Sequence, residues 1–542
     1  MLERVVDRLL GLPPAEGPPP VVTKELPIPM PDGVRLLADR YAPAGTTSAP
    51  VVLIRTPYGR GGLMGKIFGA AFARHGLQVV VQSTRGTFGS GGEFRPFHLE
   101  KEDGLATAAW LREQPWCDGR LAMAGGSYLG YTQWALGPYL DPPLEAMCLG
   151  ITASEFISTF YPGGTLAADD MVSWSTLIGR QEQRFAALPN PFQTRRTRRA
   201  MTTLPISAAD VAAIGKPVRF LQDVTAHAEP GDPFWSMVDH REEVAGLKTP
   251  VSMVTGWYDL FLAEQLRDFR TLAAAGRNPR ITIGPWAHGE PGMLRVLVPD
   301  QISWLRAHLH GDSAQLRRAP VRIYLQGAGR WLDFDQWPPE ETTAKPLHLQ
   351  PVGGLGEDVP RDSVPAKFTY DPADPTPSVG GPLLTGKTKQ RDNQAVEARS
   401  DVLVFTGAPL AADLDLIGEV SATIHVRTDL GHADVYVRLC DVDSRGVSLN
   451  VTEGILRLRP GFPESDVDGV VRASIELEPT AYRFRRGHRL RVQVAGGAFP
   501  RFARNHGTGE PLVSAVAGKP CRFEIFHDPA HPSHLTLPVF PG

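Results

Sequence analysis

Four cysteines in 542 residues are too few to staple a chain of this length. Cys117, Cys148, Cys440 and Cys521 are widely spaced and form no CxxC pair. That excludes a disulfide framework and a cysteine-based zinc site, and leaves reduced, buried thiols as the expectation. Long apolar runs are missing too, and nothing approaches the roughly 20 residues that cross a bilayer. The first residues, MLERVVDRLLGLPP, place Leu2, Val5, Val6, Leu9 and Leu10 at helical spacing, but Glu3, Arg4, Asp7 and Arg8 interrupt them. No signal-peptide core remains, so a short docking helix and a cytoplasmic protein are expected. An excess of one charge is likewise absent: 56 Lys and Arg against 59 Asp and Glu give a net charge of −3. This balance offers no electrostatic case for nucleic acid or an anionic membrane as partner.

What is present is ordinary globular composition, 42% hydrophobic and 21% charged. The length exceeds what one core supports, which implies two or three domains. With 50 prolines and 55 glycines, many turns and a large β component are expected. No internal repeat is found. The sequence is compatible with a homo-oligomer as well as a monomer.

Strand and helix patterns alternate as far as residue 145. Val22–Pro29 and Val34–Tyr41 read as a hairpin around Pro31-Asp32-Gly33. Val51–Ile54, Val79–Val81 and Leu121–Ala124 are short and wholly apolar, with helices at Lys66–Arg74 and Glu100–Arg112 between them. Continuous apolar strands separated by helices imply a parallel sheet covered on both faces. Residues 146–245 break the rhythm, being polar and helical, with an arginine run at Arg195–Arg199 that reads as a solvated helix face. The alternation returns over residues 246–340, with strands Pro250–Thr255, Arg280–Ile283 and Val321–Leu325 and a helix over Leu262–Ala275. The broken middle is therefore an inserted helical cap over the sheet's ligand-binding edge. Residues 341–542 read as short strands with turns between, among them Val402–Phe405, Glu419–Arg427, Asp434–Asp441, Ile455–Leu458, Val471–Leu477, Arg489–Val494 and Cys521–Phe526. That is a sandwich or jelly-roll signature, preceded by a loop over Val352–Lys389.

The chemistry begins at Arg120–Gly130, RLAMAGGSYLG. A buried strand ending in glycines around one serine and entering a helix reads as a nucleophile elbow. The usual pattern has glycine two places after the serine; here that place is Leu129, and glycine follows at Gly130. A serine nucleophile needs a base and an orienting carboxylate, in the order Ser, acid, His for this sheet. Asp259, after Pro250–Thr255, and His288, after Arg280–Ile283, meet that order, so Ser127, Asp259 and His288 are the expected triad. The oxyanion needs at least two donors. The backbone N–H of Tyr128 offers one, and Tyr58, in the loop after Val51–Ile54, carries a phenol where the second should lie. Other features are discounted. His527, His531 and His534 are interrupted by prolines and read as an irregular β connection. Asp169-Asp170 could bind an ammonium but reads better as a helix cap. Thr84–Glu93 is glycine-rich without the Lys-Ser/Thr end of a phosphate loop, and reads as a tight loop positioned by Arg85. No metal and no cofactor are expected.

Five segments together carry a resemblance: RTPYG (Arg55–Gly59), STRGTFGSGGEF (Ser83–Phe94), GGSYLG (Gly125–Gly130), GWYDLF (Gly256–Phe261) and GPWAHG (Gly284–Gly289). The chain resembles the cocaine-esterase-like hydrolases, relatives of X-Pro dipeptidyl-peptidases and α-amino-acid ester hydrolases. DVLVFTGAPL, FPRFARNHGTG and HPSHLTLPV extend the likeness to about Val539. It implies an α/β-hydrolase domain with an inserted helical cap and an all-β C-terminal jelly roll, with the site between all three. It implies Ser127 as nucleophile, Asp259 as acid, His288 as base, Tyr58 and Tyr128 as oxyanion donors, and a serine motif that tolerates Leu129. The amino-acid ester hydrolases carry an acidic pair just after the catalytic Asp; here those places are Phe261 and Leu262. An apolar acyl pocket of Phe261, Trp174 and Trp257 is expected instead, suited to apolar or aromatic acyl esters. The alternatives are a peptidase or amide acylase on the same triad, so that the partner is a small ester or amide, and, more remotely, a non-catalytic carbohydrate-binding protein.

Overall fold

The computed structural model describes residues 2–15, 18–183, 190–229, 231–386 and 388–541. Its first unit is built on a ten-stranded sheet in the order β1-β2-β4-β3-β5-β6-β7-β8-β9-β10. The strands are β1 Val21–Pro29, β2 Arg35–Ala42, β3 Ala49–Thr56, β4 Gln78–Ser83, β5 Cys117–Gly126, β6 Met147–Gly150, β7 Val251–Tyr258, β8 Arg280–Ala287, β9 Val321–Leu325 and β10 Arg330–Phe334. From β4 to β9 every neighbouring pair is parallel; β1, β2 and β10 add antiparallel edges. The central strands are apolar throughout because both faces are covered. Val52, Ile54, Val79, Val81, Ala122 and Ala124 enter one core, while Val51, Leu53, Val80, Leu121 and Met123 enter another. Alternating side chains point to opposite faces of a strand, so two cores require an unbroken apolar run.

The insertion lies between β6 and β7 and carries the helices Ala168–Ile178, Pro191–Ala200 and Arg219–Ala226. The helical segment starts after Gly150 rather than at residue 146, because Met147–Gly150 is a sheet strand paired with both β5 and β7. The expected helix over Lys66–Arg74 is a composite, with a π-turn at Gly65–Ala70 between short α segments at Gly62–Met64 and Ala71–Arg74. Tyr41 packs against Gly65 and Gly69, where any Cβ would collide with its side chain.

The C-terminal unit is all-β, a 13-stranded assembly wrapped around its own apolar core. The segment expected as one loop over Val352–Lys389 contains two strands, Gly354–Gly356 and Ala366–Tyr370. All four cysteines are buried and free. Among the described residues no helix is long and apolar enough to cross a membrane. The β unit reaches both other parts. Arg483 N–H donates to Gln326 O, beyond β9, and across the cap boundary Asp169 N–H donates to Pro500 O and Ala503 N–H to Leu166 O.

Candidate active site

β5 delivers Ser127 in a conformation that a serine seldom adopts, φ 57° and ψ −126°. Such backbone costs energy and persists only when its surroundings fix it. Ser127 N–H donates to Gly150 O at 2.8 Å, and Ser127 O accepts from Gly130 N–H, Tyr131 N–H and the Thr152 hydroxyl at 2.8, 3.0 and 2.9 Å. The turn's glycines do two jobs. A Cβ on Gly125 would lie 2.4 Å from that of Leu129, and one on Gly130 would lie 2.3 Å from Thr152 Cγ2. Gly130, not residue 129, is therefore the point where helix Tyr128–Trp134 closes on the chain after β6. Leu129 fills the space that Gly125 leaves.

The other two strand ends converge on this serine. His288 Nε2 stands 3.1 Å from Ser127 Oγ, and His288 Nδ1 stands 2.8 Å from Asp259 Oδ2. The second oxygen, Asp259 Oδ1, accepts the Phe261 N–H at 2.9 Å. Asp259 is fully buried and the His288 side chain is 9% exposed, so little water competes for this file of bonds. The turn after His288 is clamped in its own right. Glu290 accepts the Ala287 N–H at 3.1 Å and pairs with Lys389 of the β unit at 2.6 Å.

Ser127 lines a pocket of about 380 Å³, part of it open to solvent. Its walls include Phe97, Phe156, Phe160, Trp174 and Phe261, with Leu384 entering from the β unit. The Phe156 and Phe261 rings lie 4.2 Å apart, and Phe261 lies 5.7 Å from the His288 ring. Tyr58 and Tyr128 also line it. The Tyr128 N–H, in the first turn of its helix, is not spent on an intrahelical carbonyl. The Tyr128 phenol is engaged away from the serine. It donates to Glu100 Oε1 at 2.7 Å and accepts the Phe97 N–H at 3.0 Å. Burial pushes the Tyr58 phenol up to about 12, so it stays protonated at neutral pH.

Two expectations change. Trp257 does not line the pocket; its indole N–H donates to Tyr324 O at 2.7 Å and its ring packs against Trp337 in the core on the opposite side. Asp170, which the sequence suggests as a helix cap, lines the pocket together with Ser127 and His288. Its Oδ1 accepts the Leu384 N–H at 2.7 Å, and burial raises its pKa, as it does that of neighbouring Asp169. The acidic Asp-Asp pair is the one sequence signal for it. The histidines near the C-terminus lie in the β unit, where His531 bonds Asp466 and Asp528.

An α/β-hydrolase sheet with serine, histidine and aspartate in hydrogen-bonded file at its strand ends defines the class of the serine hydrolases. The chain belongs to the family that joins cocaine esterase to the X-Pro dipeptidyl-peptidases. Residues 32–290 match the X-Pro dipeptidyl-peptidase (S15 family) domain, and residues 315–536 match the X-Pro dipeptidyl-peptidase C-terminal non-catalytic domain. Cocaine esterase of Rhodococcus sp. (strain MB1 Bresler) is 30% identical over 574 residues, covering 96% of this chain and 98% of the relative. Among solved structures, an α-amino acid ester hydrolase superposes with a TM-score of 0.81 at 22% identity, covering 97% of this chain and 98% of that one. An aminopeptidase from a Thaumarchaeota archaeon superposes at 0.80 and 23% identity, with 98% of each chain covered. These two likenesses establish a shared fold.

Proposed function

We propose that this protein hydrolyses carboxylic esters with apolar or aromatic acyl groups through an acyl-Ser127 intermediate. The observation that carries the reading is the Ser127–His288–Asp259 file opening into a pocket walled by aromatic rings. His288 Nε2 accepts the Ser127 hydroxyl proton as Oγ attacks the ester carbonyl. Asp259 fixes the imidazole with Nδ1 protonated and stabilises it while it is charged. The developing oxyanion receives the Tyr128 N–H and the Tyr58 phenol. His288 then gives its proton to the leaving alkoxide. A water then gives a proton to His288 as it attacks the acyl carbon, and His288 passes that proton to Ser127 Oγ as the acid leaves.

Phe261 and Trp174 form the acyl wall in this reading, as apolar area with few polar groups suits an uncharged acyl chain. The relatives named for esters, cocaine esterase and two mycobacterial proteins described as serine esterases, agree in reaction class. A serine-directed phosphonate ester should label Ser127, located by peptide mapping. Ser127→Ala should abolish both labelling and hydrolysis of short-chain nitrophenyl esters while leaving the melting temperature within a few degrees of the parent. Undiminished turnover by that variant would refute the mechanism.

A second reading rests on Asp170. A buried carboxylate in an otherwise apolar pocket is suited to a cationic amine, as on an aminoacyl ester or the N-terminus of a short peptide.

A further inference from the structure

Trp174 forms pocket wall with its ring, but its indole nitrogen is engaged elsewhere. Nε1 stands 3.1 Å from the Tyr58 hydroxyl. An indole N–H can only donate, so the phenol oxygen must accept there. The phenol's own hydrogen then has to leave along another direction. Among the described residues no protein acceptor takes that hydrogen, and the Tyr58 side chain opens onto the pocket it shares with Ser127 and His288.

We propose that Trp174 is a positioning residue for the oxyanion hole: its N–H locks the Tyr58 rotor so that the phenol hydrogen points at the reacting carbonyl before substrate arrives. This rests on the reading of Tyr58 as an oxyanion donor. The physical gain is preorganisation. A donor already aimed costs no reorientation as charge develops, whereas a free hydroxyl must be turned in the transition state. Trp174 is itself held. Its ring stacks on Phe97 at 5.5 Å and on Tyr128 at 6.1 Å, and meets the edge of Phe220 at 4.4 Å. Tyr128 supplies the other donor through its backbone, so one aromatic stack runs between the two halves of the hole. The indole thus has two functions, and they are separable: the ring bounds the pocket, while the N–H acts through Tyr58.

The test is a double-mutant cycle on Tyr58→Phe and Trp174→Phe, with kcat and KM measured on one nitrophenyl ester. Loss of a whole oxyanion donor lowers kcat by about 10²–10³-fold, and that is expected for Tyr58→Phe. Trp174→Phe removes only the aim, and a loss of about tenfold in kcat is expected, as a fraction of the full donor effect. In the Tyr58→Phe background the Trp174 change should lower kcat no further. An equal loss in both backgrounds, or an effect confined to KM, would make Trp174 a pocket wall alone and overturn the proposal. Because phenyl is smaller than indole, the same cycle with benzothienylalanine at position 174 keeps the bicyclic shape and replaces N–H by sulfur. Full kcat in that variant overturns the proposal as well. If Tyr58→Phe by itself leaves kcat intact, the oxyanion reading fails and takes the proposal with it; if Tyr58→Phe is impaired and the cycle is additive, only the role of Trp174 falls.

Discussion

At Asp170 a carboxylate sits where the sequence reads most naturally as a helix cap. The helix Ala168–Ile178 does have Asp169 and Asp170 in its first turn, but no side chain caps it by hydrogen bond. Asp170 spends one oxygen on the Leu384 N–H and turns toward the pocket. Desolvation disfavours the charge there, which a bound ammonium would restore. If amine-bearing substrates are bound, Asp170→Asn should lower kcat/KM for an aminoacyl nitroanilide by about 10–100-fold, the worth of one charged hydrogen bond. A neutral butyryl ester should change by less than about threefold, since it makes no such bond. Equal effects on the two substrates would sink the amine reading and leave the ester reading standing. The sequence conceals this residue because an acidic pair at a helix start looks the same whether it faces a backbone or a cavity. Trp257 misleads for the same reason in reverse: an aromatic beside a strand end suggests a pocket, but its indole finds an acceptor in Tyr324 on the far side of the sheet.

At the scale of elements, the strand–turn–helix around Ser127 shows what the sequence can and cannot reveal. The three strand ends carrying Ser127, Asp259 and His288 are legible because each is a short apolar run stopped by glycine and aromatics. The edge hairpin of β1 and β2 is legible as well, but the shortest strands are not. β6 is only four residues long, and Leu414–Gly418 and Thr480–Phe484 are five each, too short for an alternating pattern to declare itself. The helix Pro291–His310 is hidden in another way; it contains Pro299, a residue that ordinarily ends a helix. Leu129, which departs from the expected spacing, is explained by packing rather than by chemistry. Closure of the elbow depends on Gly130 lying against Thr152. Gly130→Ala should therefore push the helix Tyr128–Trp134 off the β6 end, destabilising the fold by about 1–3 kcal/mol through overpacking. It should also reduce kcat more than KM, because the Tyr128 N–H moves with that helix. Denaturant unfolding and steady-state kinetics on the same preparation check both. An alanine variant with unchanged midpoint and kcat would mean that another contact sets the elbow.

At the scale of the whole molecule, the site's surroundings store a pH dependence separate from catalysis. Two carboxyls of the helix Leu262–Ala274 and one of the β unit are pushed up by burial: Glu264 to about 8, Asp268 to about 7 and Glu478 to about 7. Glu478 and Glu155 crowd Glu264 with like charge, and Arg267 only partly offsets them. In the unfolded chain such groups titrate near 4. The folded state thus holds protons that the unfolded state releases, and this contribution to stability is complete below about pH 4 and is lost as pH rises through 7 to 8. Exposed carboxyls act in the opposite sense. Arg85 holds Asp32 low, and Arg322 holds Asp333 low, so their contribution is present above about pH 4 and is lost in acid. Between these limits the melting temperature should be highest in mildly acidic buffer and decline toward pH 9. Glu264→Gln removes the titrating group while keeping the side chain's volume. It should leave the melting temperature unchanged at pH 5 and raise it at pH 9, flattening the alkaline limb. Melting curves of the parent and Glu264→Gln taken from pH 5 to 9 decide the matter: two profiles that stay parallel throughout would show that Glu264 does not hold its proton in the folded protein.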